Sequence, residues 1–437
     1  MEFVSSLWSI PFLGIIFSMS FLPLLCPIFW NRYACYVPLF WTMLYVLSVC
    51  YFLGVSRVIP AIMEPLLGDY IPFIVLIATL YVVAGGIFVS FSRGFGPFFN
   101  TAYLFVGSMI AGWIGTTGAA ALLIRPFLRS NLGRKYTTHL MVFFIFLVAN
   151  IGGAATPLGD PPLFIGFLKG VDFFWFIKNL YMVLGGTITV LCVIFFIIDF
   201  ILFRLDQGIY YEKVDGAFLK INGLENIILI VIILLVVIFC NFSGEFMIYG
   251  EKFSFASALR NSLLFVISLI SLKITPTEIR AKNDFSFAPI REIAELFAGI
   301  FVTVAPIIDI LRQGMAGEFR RIFEWIAPGG EYIAERCFWI SGMLSAILDN
   351  APTFLIFFHL TSGDPHMLMT VKSNILTAFS ISTVFMGALT YIGNAPNLIV
   401  KSISIHHGVK VPSFLGYMGW SILILGPIFV VISYFLK

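Results

Sequence analysis

The sequence predicts an all-α integral membrane protein with about ten transmembrane helices and two re-entrant hairpins, arranged as two inverted-topology repeats. The first observation is composition: 60% of the residues are hydrophobic and only 11% are charged, whereas soluble domains carry about 25% charged residues. The second is a series of apolar runs of about 20 residues, the length that crosses the hydrocarbon core of a bilayer. The third is a polar motif that recurs in the second half of the chain.

The ten predicted spans are apolar runs with few charges, and residues 227–240 have no polar face at all. The spans lie near residues 7–28, 34–54, 71–92, 137–168, 178–203, 226–241, 257–273, 291–311, 372–402 and 413–436. Two further apolar segments, 101–128 and 336–360, are interrupted at mid-length by polar and small residues. These interruptions favour re-entrant hairpins over spans.

The repeat is clearest where GAATPLGDPPLFI (153–165) is compared with GALTYIGNAPNLI (387–399). At an offset of 234 residues, Asp160 corresponds to Asn394, and most glycines and prolines around them coincide. The hairpin cores 115–124 and 348–357 correspond at an offset of 233. The spacing between the two motifs is therefore kept within one residue in both halves.

The order of elements makes the second half an inverted copy of the first. Each half, 1–203 and 226–437, holds three spans, one hairpin and two spans, and a polar linker at 204–225 joins them. Because a hairpin returns to its starting side, each half crosses the membrane an odd number of times. Basic residues concentrated at 129–135 and 271–282 predict an external N-terminus and a cytoplasmic linker. Inverted repeats are typical of secondary transporters, whose site lies near the midplane between the repeats.

Four interruptions of the apolar runs contain the polar residues: 115–118, 156–162, 349–352 and 390–397. Proline and glycine break the helical hydrogen-bond ladder, and irregular backbone at membrane depth survives only where it is buried in protein or lines a cavity. Half-helix ends at such breaks can bind ions. Ordinary loop turns use the same residue types, but four motifs paired by a repeat and flanked by long apolar runs favour an ion site.

Asp160 and Asp349 are the two carboxylates in these interruptions, and an ionisable group at membrane depth indicates function. A carboxylate that alternately holds a proton and a metal ion suits an antiporter, and we predict that Asp160 carries the exchanged proton. Asp349 also fits the N-cap of the second limb of its hairpin. Neutral oxygens that suit Na⁺ come from Thr116, Thr117, Asn150, Thr156, Asn350, Thr390, Asn394 and Asn397. The predicted Na⁺ ligands are Asp160, Asp349, Asn350 and Asn394.

Charged residues outside the breaks have simpler interpretations. Arg125 is a candidate partner for an anionic substrate or for Asp160, and it also fits a side chain that extends to the membrane interface. The four histidines near span ends or in loops are predicted to be solvated: His139, His366, His406 and His407. The sequence contains no phosphate-binding loop, HExxH motif or Ser/His/Asp arrangement, so neither an enzyme nor a cofactor is expected. The net charge of +3 gives no indication of nucleic-acid binding.

Three segments resemble a known family: residues 149–175, LSAILDNAPTFLIF (344–357) and GALTYIGNAPNLIV (387–400). They are similar to the ion transporter superfamily, in particular to NhaD-type sodium/proton antiporters and citrate-transporter-like membrane proteins. The resemblance implies a scaffold domain and a mobile transport domain, a homodimer, and a bacterial inner membrane. It also implies Thr117, Asn150, Asp160, Asp349, Asn350 and Asn394 as the ion site. NhaD-type proteins have a hydroxyl-rich turn after the aspartate, whereas this chain has Pro161 and Pro162.

Three functions from different classes remain open. The leading hypothesis is Na⁺/H⁺ antiport, because carboxylates among neutral oxygens are typical of a cation site. The alternative is Na⁺- or H⁺-coupled transport of citrate or a dicarboxylate, which needs Arg or Lys near the hairpin tips, where Arg125 is the sole candidate. A non-transporting membrane scaffold or signalling protein would show no transport at all.

Overall fold

A computed structural model describes residues 6–92, 94–206, 219–240, 242, 244–248, 251–313, 317 and 320–436, and most of them are helical. Residues 207–218 of the predicted linker lie outside the described residues. The helices of the first half are α1 (Ile10–Leu25), α2 (Pro27–Tyr33), α3 (Tyr36–Leu53), α4 (Val58–Pro65), α5 (Ile71–Ala84), α6 (Pro97–Ile114), α7 (Thr116–Arg129), α8 (Thr138–Leu147), α9 (Pro161–Leu168) and α10 (Phe173–Leu205).

The second half follows a similar order. Its helices are α11 (Leu224–Phe239), α12 (Phe255–Ile274), α13 (Thr277–Lys282), α14 (Ala288–Thr303), α15 (Ala305–Arg312), α16 (Arg320–Ile326), α17 (Ala334–Leu348), α18 (Asn350–Thr361), α19 (Pro365–Met369), α20 (Ser373–Met386), α21 (Ala395–His406) and α22 (Phe414–Phe435). Short 3₁₀ turns, Ile151–Ala155 and Gly387–Leu389, continue the chain after α8 and α20.

The described residues also form two small antiparallel pairs of strands outside the helices. Strand β1 (Phe88–Phe91) pairs with β2 (Leu219–Asn222), and β3 (Glu245–Ile248) pairs with β4 (Glu251–Ser254). The predicted span 71–92 is therefore too long, because α5 ends before Gly85 and Gly86 and the chain becomes extended at Phe88. Glycine is a poor helix former, so two in succession favour this end.

Every predicted span contains an apolar helix, but the helices differ in length. In the described part of the chain, six helices are long and apolar enough to cross a membrane, or up to seven if the bent pair Ala288–Thr303 and Ala305–Leu311 is one span. Three shorter apolar helices occur at Leu7–Pro23, Leu224–Phe239 and Ser373–Leu389. These findings show an all-α membrane protein, and the count of ten spans stays a prediction.

The burial of these helices identifies the centre of the molecule. Within Thr138–Ala155, 89% of the residues are buried, against 28% for the most apolar window of Phe173–Leu205. Residues 140–147 of α8 are fully inaccessible. We call α8 and α9, with the break between them, the first broken helix, and α20 and α21 the second. The first broken helix therefore runs through the protein interior, whereas α10 presents much of its apolar surface outward, as a lipid-facing helix would.

Both predicted hairpins fold back on themselves. In the first, the Tyr103 hydroxyl of α6 donates to the carbonyl of Leu123 in α7 at 2.7 Å, and its ring stacks on Phe127 at 5.2 Å. In the second, the Tyr332 hydroxyl donates to the carbonyl of Leu360 at the end of α18 at 2.5 Å. Each contact joins the two limbs far from the break between them, as an antiparallel helix pair requires.

Candidate functional site

The two hairpins turn at Gly115 and Asp349, which share one unusual backbone conformation. Gly115 has φ 82° and ψ 141°, and Asp349 has φ 76° and ψ 151°. Glycine adopts positive φ freely, whereas an aspartate there costs about 1–3 kcal/mol. The predicted N-cap is confirmed, since the Asp349 carboxylate accepts from the amide of Ala351 at 3.5 Å. The two turns are 349 − 115 = 234 residues apart, so the predicted hairpin offset of 233 is wrong by one residue.

Each broken helix is bonded to the hairpin of its own half by an equivalent threonine. The Thr156 hydroxyl donates to the carbonyl of Gly112 at 2.5 Å, and the Thr390 hydroxyl donates to the carbonyl of Ala346 at 2.6 Å. Both hydroxyl oxygens also accept from a backbone amide within the following turn. Thr156 and Thr390, predicted as ion ligands, therefore hold the breaks in position.

All four interruptions meet at the carboxylate of Asp160, which is only 2% exposed. Its Oδ1 accepts from the hydroxyl of Thr116 at 2.7 Å and from the side-chain amide of Asn394 at 3.3 Å. Its Oδ2 accepts from the side-chain amide of Asn350. Thr116, Asn350 and Asn394 come from the three other breaks, so a single carboxyl group joins both hairpins to both broken helices. We call this arrangement the Asp160 site.

Two more predicted residues support the Asp160 site without touching its carboxylate. Asn394 also donates to Oδ1 of Asn150 at 3.1 Å, and Asn150 donates to Oδ1 of Asn397 at 2.7 Å. Asn397 in turn donates to the carbonyls of Gly387 and Thr390, each at 2.9 Å. Asn150 and Asn397 therefore position Asn394, and their hydrogen bonds tie one broken helix to the other.

Beside the Asp160 carboxylate there is room for one small particle. A cavity of about 20 Å³ is lined by Thr116, Thr117, Asp160 and neighbouring apolar residues, and one water needs about 10–15 Å³. The Oδ1 of Asn350 is buried and has no hydrogen-bond partner among the described residues. A buried oxygen without a donor is costly unless a ligand satisfies it. The Asp160 site can therefore hold a proton or a small cation but not an organic molecule.

Asp349 lines a second cavity, and no hydrogen bond joins its carboxylate to Asp160. The Na⁺ site shared by Asp160 and Asp349 stays a prediction. This second cavity, the Asp349 cavity, measures about 990 Å³. The acidic, basic and histidine residues that line it are Arg125, Asp284, Glu292, Asp349, Lys401, His406 and His407. It is large enough for a small organic substrate, because ligand pockets span about 300–1,000 Å³.

Arg125 contacts neither Asp160 nor the Asp160 site. Its Nε lies 3.3 Å from Oδ2 of Asp284, and its Nη1 donates to the carbonyl of Ala121 at 3.0 Å. Of its two predicted functions, pairing with Asp160 is wrong, because α7 carries the guanidinium to the far end of the hairpin from Thr116. Arg125 lines the Asp349 cavity, so its predicted contact with an anionic substrate stays a prediction.

One prediction about histidine is also wrong. His139 is 1% exposed, and its Nε2 lies 2.8 Å from Oδ1 of Asp199. Arg134 bonds the same oxygen at 2.5 Å, and Asn100 donates to Oδ2 at 2.8 Å. This buried cluster fastens the base of the first hairpin to α10. The interpretation of His139 as solvated assumed that a position near a span end is open to water, but α10 covers this one.

Comparison with known proteins places the chain in a transport family. The family described as "Putative citrate transport" matches residues 1–436 of the chain. The chain belongs to this family. The search of curated proteins gives no match. The family and the apolar helices make the chain a multi-pass membrane protein of a transport family, and the narrower likeness to NhaD-type antiporters stays a prediction.

Lys401 is a functional candidate that the sequence analysis missed. Its Nζ lies 4.6 Å from the centroid of the Tyr391 ring, and both residues line the Asp349 cavity with Arg125. The signal was present in the sequence: Lys401 follows Asn394 by seven residues, which is two helical turns along α21. Side chains on a helix tilt towards its N-terminus, so Lys401 on α21 tilts towards the break at 390–397. The citrate hypothesis thus has two cationic residues on one cavity, where the sequence analysis recognised only Arg125.

Proposed function

We propose that this protein is a secondary active transporter that moves citrate or a related carboxylate together with Na⁺ or H⁺. The observation that carries the proposal is the division of the polar residues between two neighbouring spaces. The Asp160 site has room for a small cation, and the Asp349 cavity has room for an organic anion and presents Arg125 and Lys401. The family match supports the carboxylate as cargo.

The Asp160 site favours a bound cation or proton because no charged side chain among the described residues neutralises its carboxylate. Thr116, Asn350 and Asn394 all donate to the carboxylate, and none of them is charged. A buried carboxylate without a cationic side chain keeps its charge at a high cost unless a cation or a proton joins it. Occupation of the site by Na⁺ or H⁺ therefore removes the main cost of packing the four breaks together.

Charge balance in the Asp349 cavity provides a reason for coupling. The cavity has three carboxyl groups, on Asp284, Glu292 and Asp349, against the cationic groups of Arg125 and Lys401. Arg125 is already paired with Asp284. An anion with several carboxylates can enter only if protons or cations neutralise part of this charge. Uptake of the anion without a co-transported cation is thus electrostatically opposed.

Na⁺/H⁺ antiport is the second candidate, and the same excess of carboxyl groups favours it. An exchanger needs a carboxylate that alternates between a proton and a metal ion, and Asp160 has suitable neutral ligands. In that case Arg125 and Lys401 would have no cargo to bind. Their replacement by glutamine separates the two candidates, because only carboxylate transport depends on them.

The experiment is transport by the reconstituted protein. Labelled citrate uptake is measured under an imposed Na⁺ or H⁺ gradient, and the pH inside the vesicles is followed in the absence of citrate. We expect cation-dependent citrate uptake, with a raised KM in Arg125→Gln and Lys401→Gln. Lys135→Gln is the control, because Lys135 is exposed and also stacks on a tyrosine, at 5.4 Å. Na⁺-dependent dissipation of ΔpH without citrate uptake would establish antiport instead, and no transport of either kind would favour a scaffold or signalling protein.

We also propose the inverted repeat, the external N-terminus and the homodimer in a bacterial inner membrane. The equivalent threonine contacts and the two positive-φ turns, all separated by one offset, support the repeat. Leu132 is 60% exposed, and Gln313 is exposed at the end of α15. In a cysteine-free background, Leu132→Cys and Gln313→Cys should react with a membrane-impermeant thiol reagent from opposite sides. Reaction of both from one side would refute the inverted topology.

A further inference from the structure

A second large cavity contains a buried arginine, Arg260, without an ion pair in the described part of the chain. Arg260 of α12 is 6% exposed and has no ion-pair partner among the described residues. Its Nη2 donates a long hydrogen bond of 3.4 Å to Ser257, and its buried Nε has no hydrogen-bond acceptor in the part of the chain described. A guanidinium carries five N–H donors, so the described residues leave most of its donors without an acceptor.

The space next to Arg260 has a volume of about 680 Å³ and we call it the Arg260 cavity. It is lined by the start of α5, the end of α9, the β3–β4 pair and the first turns of α12. The N-terminus of this 20-residue helix adds a second attraction for negative charge, although the Ser254 hydroxyl already accepts from the amide of Ser257 at 3.3 Å. Ala256, Ser257 and Ala258 all line the cavity. The guanidinium and the helix end thus favour the same kind of ligand.

The three cavities follow one another along α5. Ile71 at its start lines the Arg260 cavity, Leu76 and Leu80 line the small space of the Asp160 site, and Tyr81 lines the Asp349 cavity. At 1.5 Å per residue, Ile71 and Tyr81 are about 15 Å apart along the helix. Helix α9 also runs from the Asp160 site to the Arg260 cavity. It begins directly after Asp160, and near its end the ring of Phe167 lies 5.7 Å from the Arg260 guanidinium. The Arg260 and Asp349 cavities are therefore at opposite ends of the cation site.

We propose that the Arg260 cavity binds a carboxylate of the transported anion at the face of the membrane opposite the Asp349 cavity. This inference rests on the proposed carboxylate transport. Arg260 makes charge-assisted hydrogen bonds to the substrate when it enters from that face, and Arg125 and Lys401 do so from the other. By the predicted topology, the Arg260 cavity opens to the external side.

The other charged groups at the cavity are already engaged. Lys252 forms an exposed pair with Glu245 at 3.0 Å. The Asp172 carboxylate accepts from the amides of Phe174 and Trp175 at 2.9 Å, which caps α10. Arg260 is consequently the strongest attraction for an anion in this space. The side chain of Asn261 adds an amide whose oxygen is also unpartnered among described residues, and rotation of this amide would present its N–H groups to a carboxylate.

Direction-resolved kinetics test the proposal. Labelled citrate influx is measured into right-side-out and everted membrane vesicles that contain the full-length protein. In Arg260→Gln we expect the KM to rise about 10- to 100-fold in right-side-out vesicles, the effect of losing one charge-assisted hydrogen bond. In everted vesicles the KM should stay within about twofold, since the substrate there meets Arg125 and Lys401 first. A purely structural function of Arg260 would change the KM in both vesicle types, which would overturn the proposal, as would no change in either.

Two further variants control for misfolding. Arg260→Lys keeps the charge but not the planar fork, so its KM should lie between wild type and Arg260→Gln. Arg204→Gln is the matched control, because Arg204 also stacks on a phenylalanine, at 4.6 Å, but is exposed on α10. An Arg260→Lys variant that is as impaired as Arg260→Gln in both vesicle types would show that the side chain matters for packing alone.

A binding measurement separates this inference from the proposed function. In a cysteine-free background, Ala258→Cys places a thiol at the cavity, and citrate should slow its alkylation by N-ethylmaleimide. The protection should disappear when Arg260→Gln is added. Protection by phosphatidylglycerol but not by citrate would assign the cavity to a lipid phosphate and overturn the proposal. If wild-type protein moves no citrate, the proposed function fails by itself, whatever the alkylation result.

Discussion

Replacement of Asp160 gives the sharpest test of the cation site, because two substitutions should separate its charge from its hydrogen bonds. Asp160→Ala removes the acceptor for the donors on Thr116, Asn350 and Asn394. Asn394 keeps the carbonyl of Ala149 and Oδ1 of Asn150 as acceptors, so Thr116 and Asn350 are the donors that lose their partner. Each buried donor left unpaired costs about 1–3 kcal/mol, so the loss of stability should reach about 2–6 kcal/mol. Asp160→Ala should therefore unfold at a much lower temperature than wild type.

Asp160→Asn should retain the fold. The amide oxygen can still accept from Thr116 and Asn394, and the amide nitrogen then faces Asn350. Oδ1 of Asn350 is a buried oxygen without a partner among the described residues, so rotation of that side chain lets it accept from the new N–H group. The number of hydrogen bonds is unchanged, and the cost should stay within about 1 kcal/mol.

Asp160→Asn should lose cation binding although its stability is close to that of wild type. Loss of one member of a buried ion pair costs about 3–5 kcal/mol, which predicts that cation affinity falls about 100-fold or more. The assay is uptake across a range of Na⁺ concentrations and pH values, beside thermal unfolding followed by size-exclusion chromatography. Wild-type cation dependence in Asp160→Asn would refute the assignment of the cation to Asp160. Equal instability of the two variants would refute the hydrogen-bond account.

Three other substitutions test neighbouring conclusions. Asn394→Asp brings a second carboxylate to about 3.3 Å from Asp160, where repulsion of about 5 kcal/mol opposes double ionisation; the pH optimum of transport should move upward with activity partly retained, and an unchanged pH profile would contradict this geometry. Asp349→Gly should be about 1 kcal/mol more stable than Asp349→Ala in chemical unfolding, because only glycine adopts the positive φ freely; equal stability would show that the turn relaxes. Asp199→Asn should cost about 1.5–3 kcal/mol of stability because it removes the carboxylate at 2.5 Å from Arg134 and leaves the buried guanidinium with Asp206 at 3.7 Å, and a melting temperature equal to wild type would show that the cluster is not needed for folding.

Much of this protein follows from the sequence by local rules. Apolar runs predict membrane helices because each apolar residue lowers the free energy of insertion into the bilayer, whatever the rest of the chain does. The breaks at 115–118, 156–162, 349–352 and 390–397 follow from glycine and proline, which act on the backbone beside them. Asp160 could be recognised as a candidate site carboxylate from its place in a break, and Asn394 as its counterpart from the spacing alone.

Only the tertiary structure decides which polar groups meet. The bonds from Asp160 to Asn350 and Asn394 cross 190 and 234 residues of chain, and no local pattern specifies contacts over such separations. The same holds for the division of Asp160 and Asp349 between two spaces, although both lie in breaks of similar chemistry. Lys401 reaches the Asp349 cavity because of the direction in which α21 runs from its break. In the sequence, Arg260 lies near the end of an apolar run, where an arginine at the membrane interface is ordinary. Its burial depends on helices and strands that pack around it from distant parts of the chain.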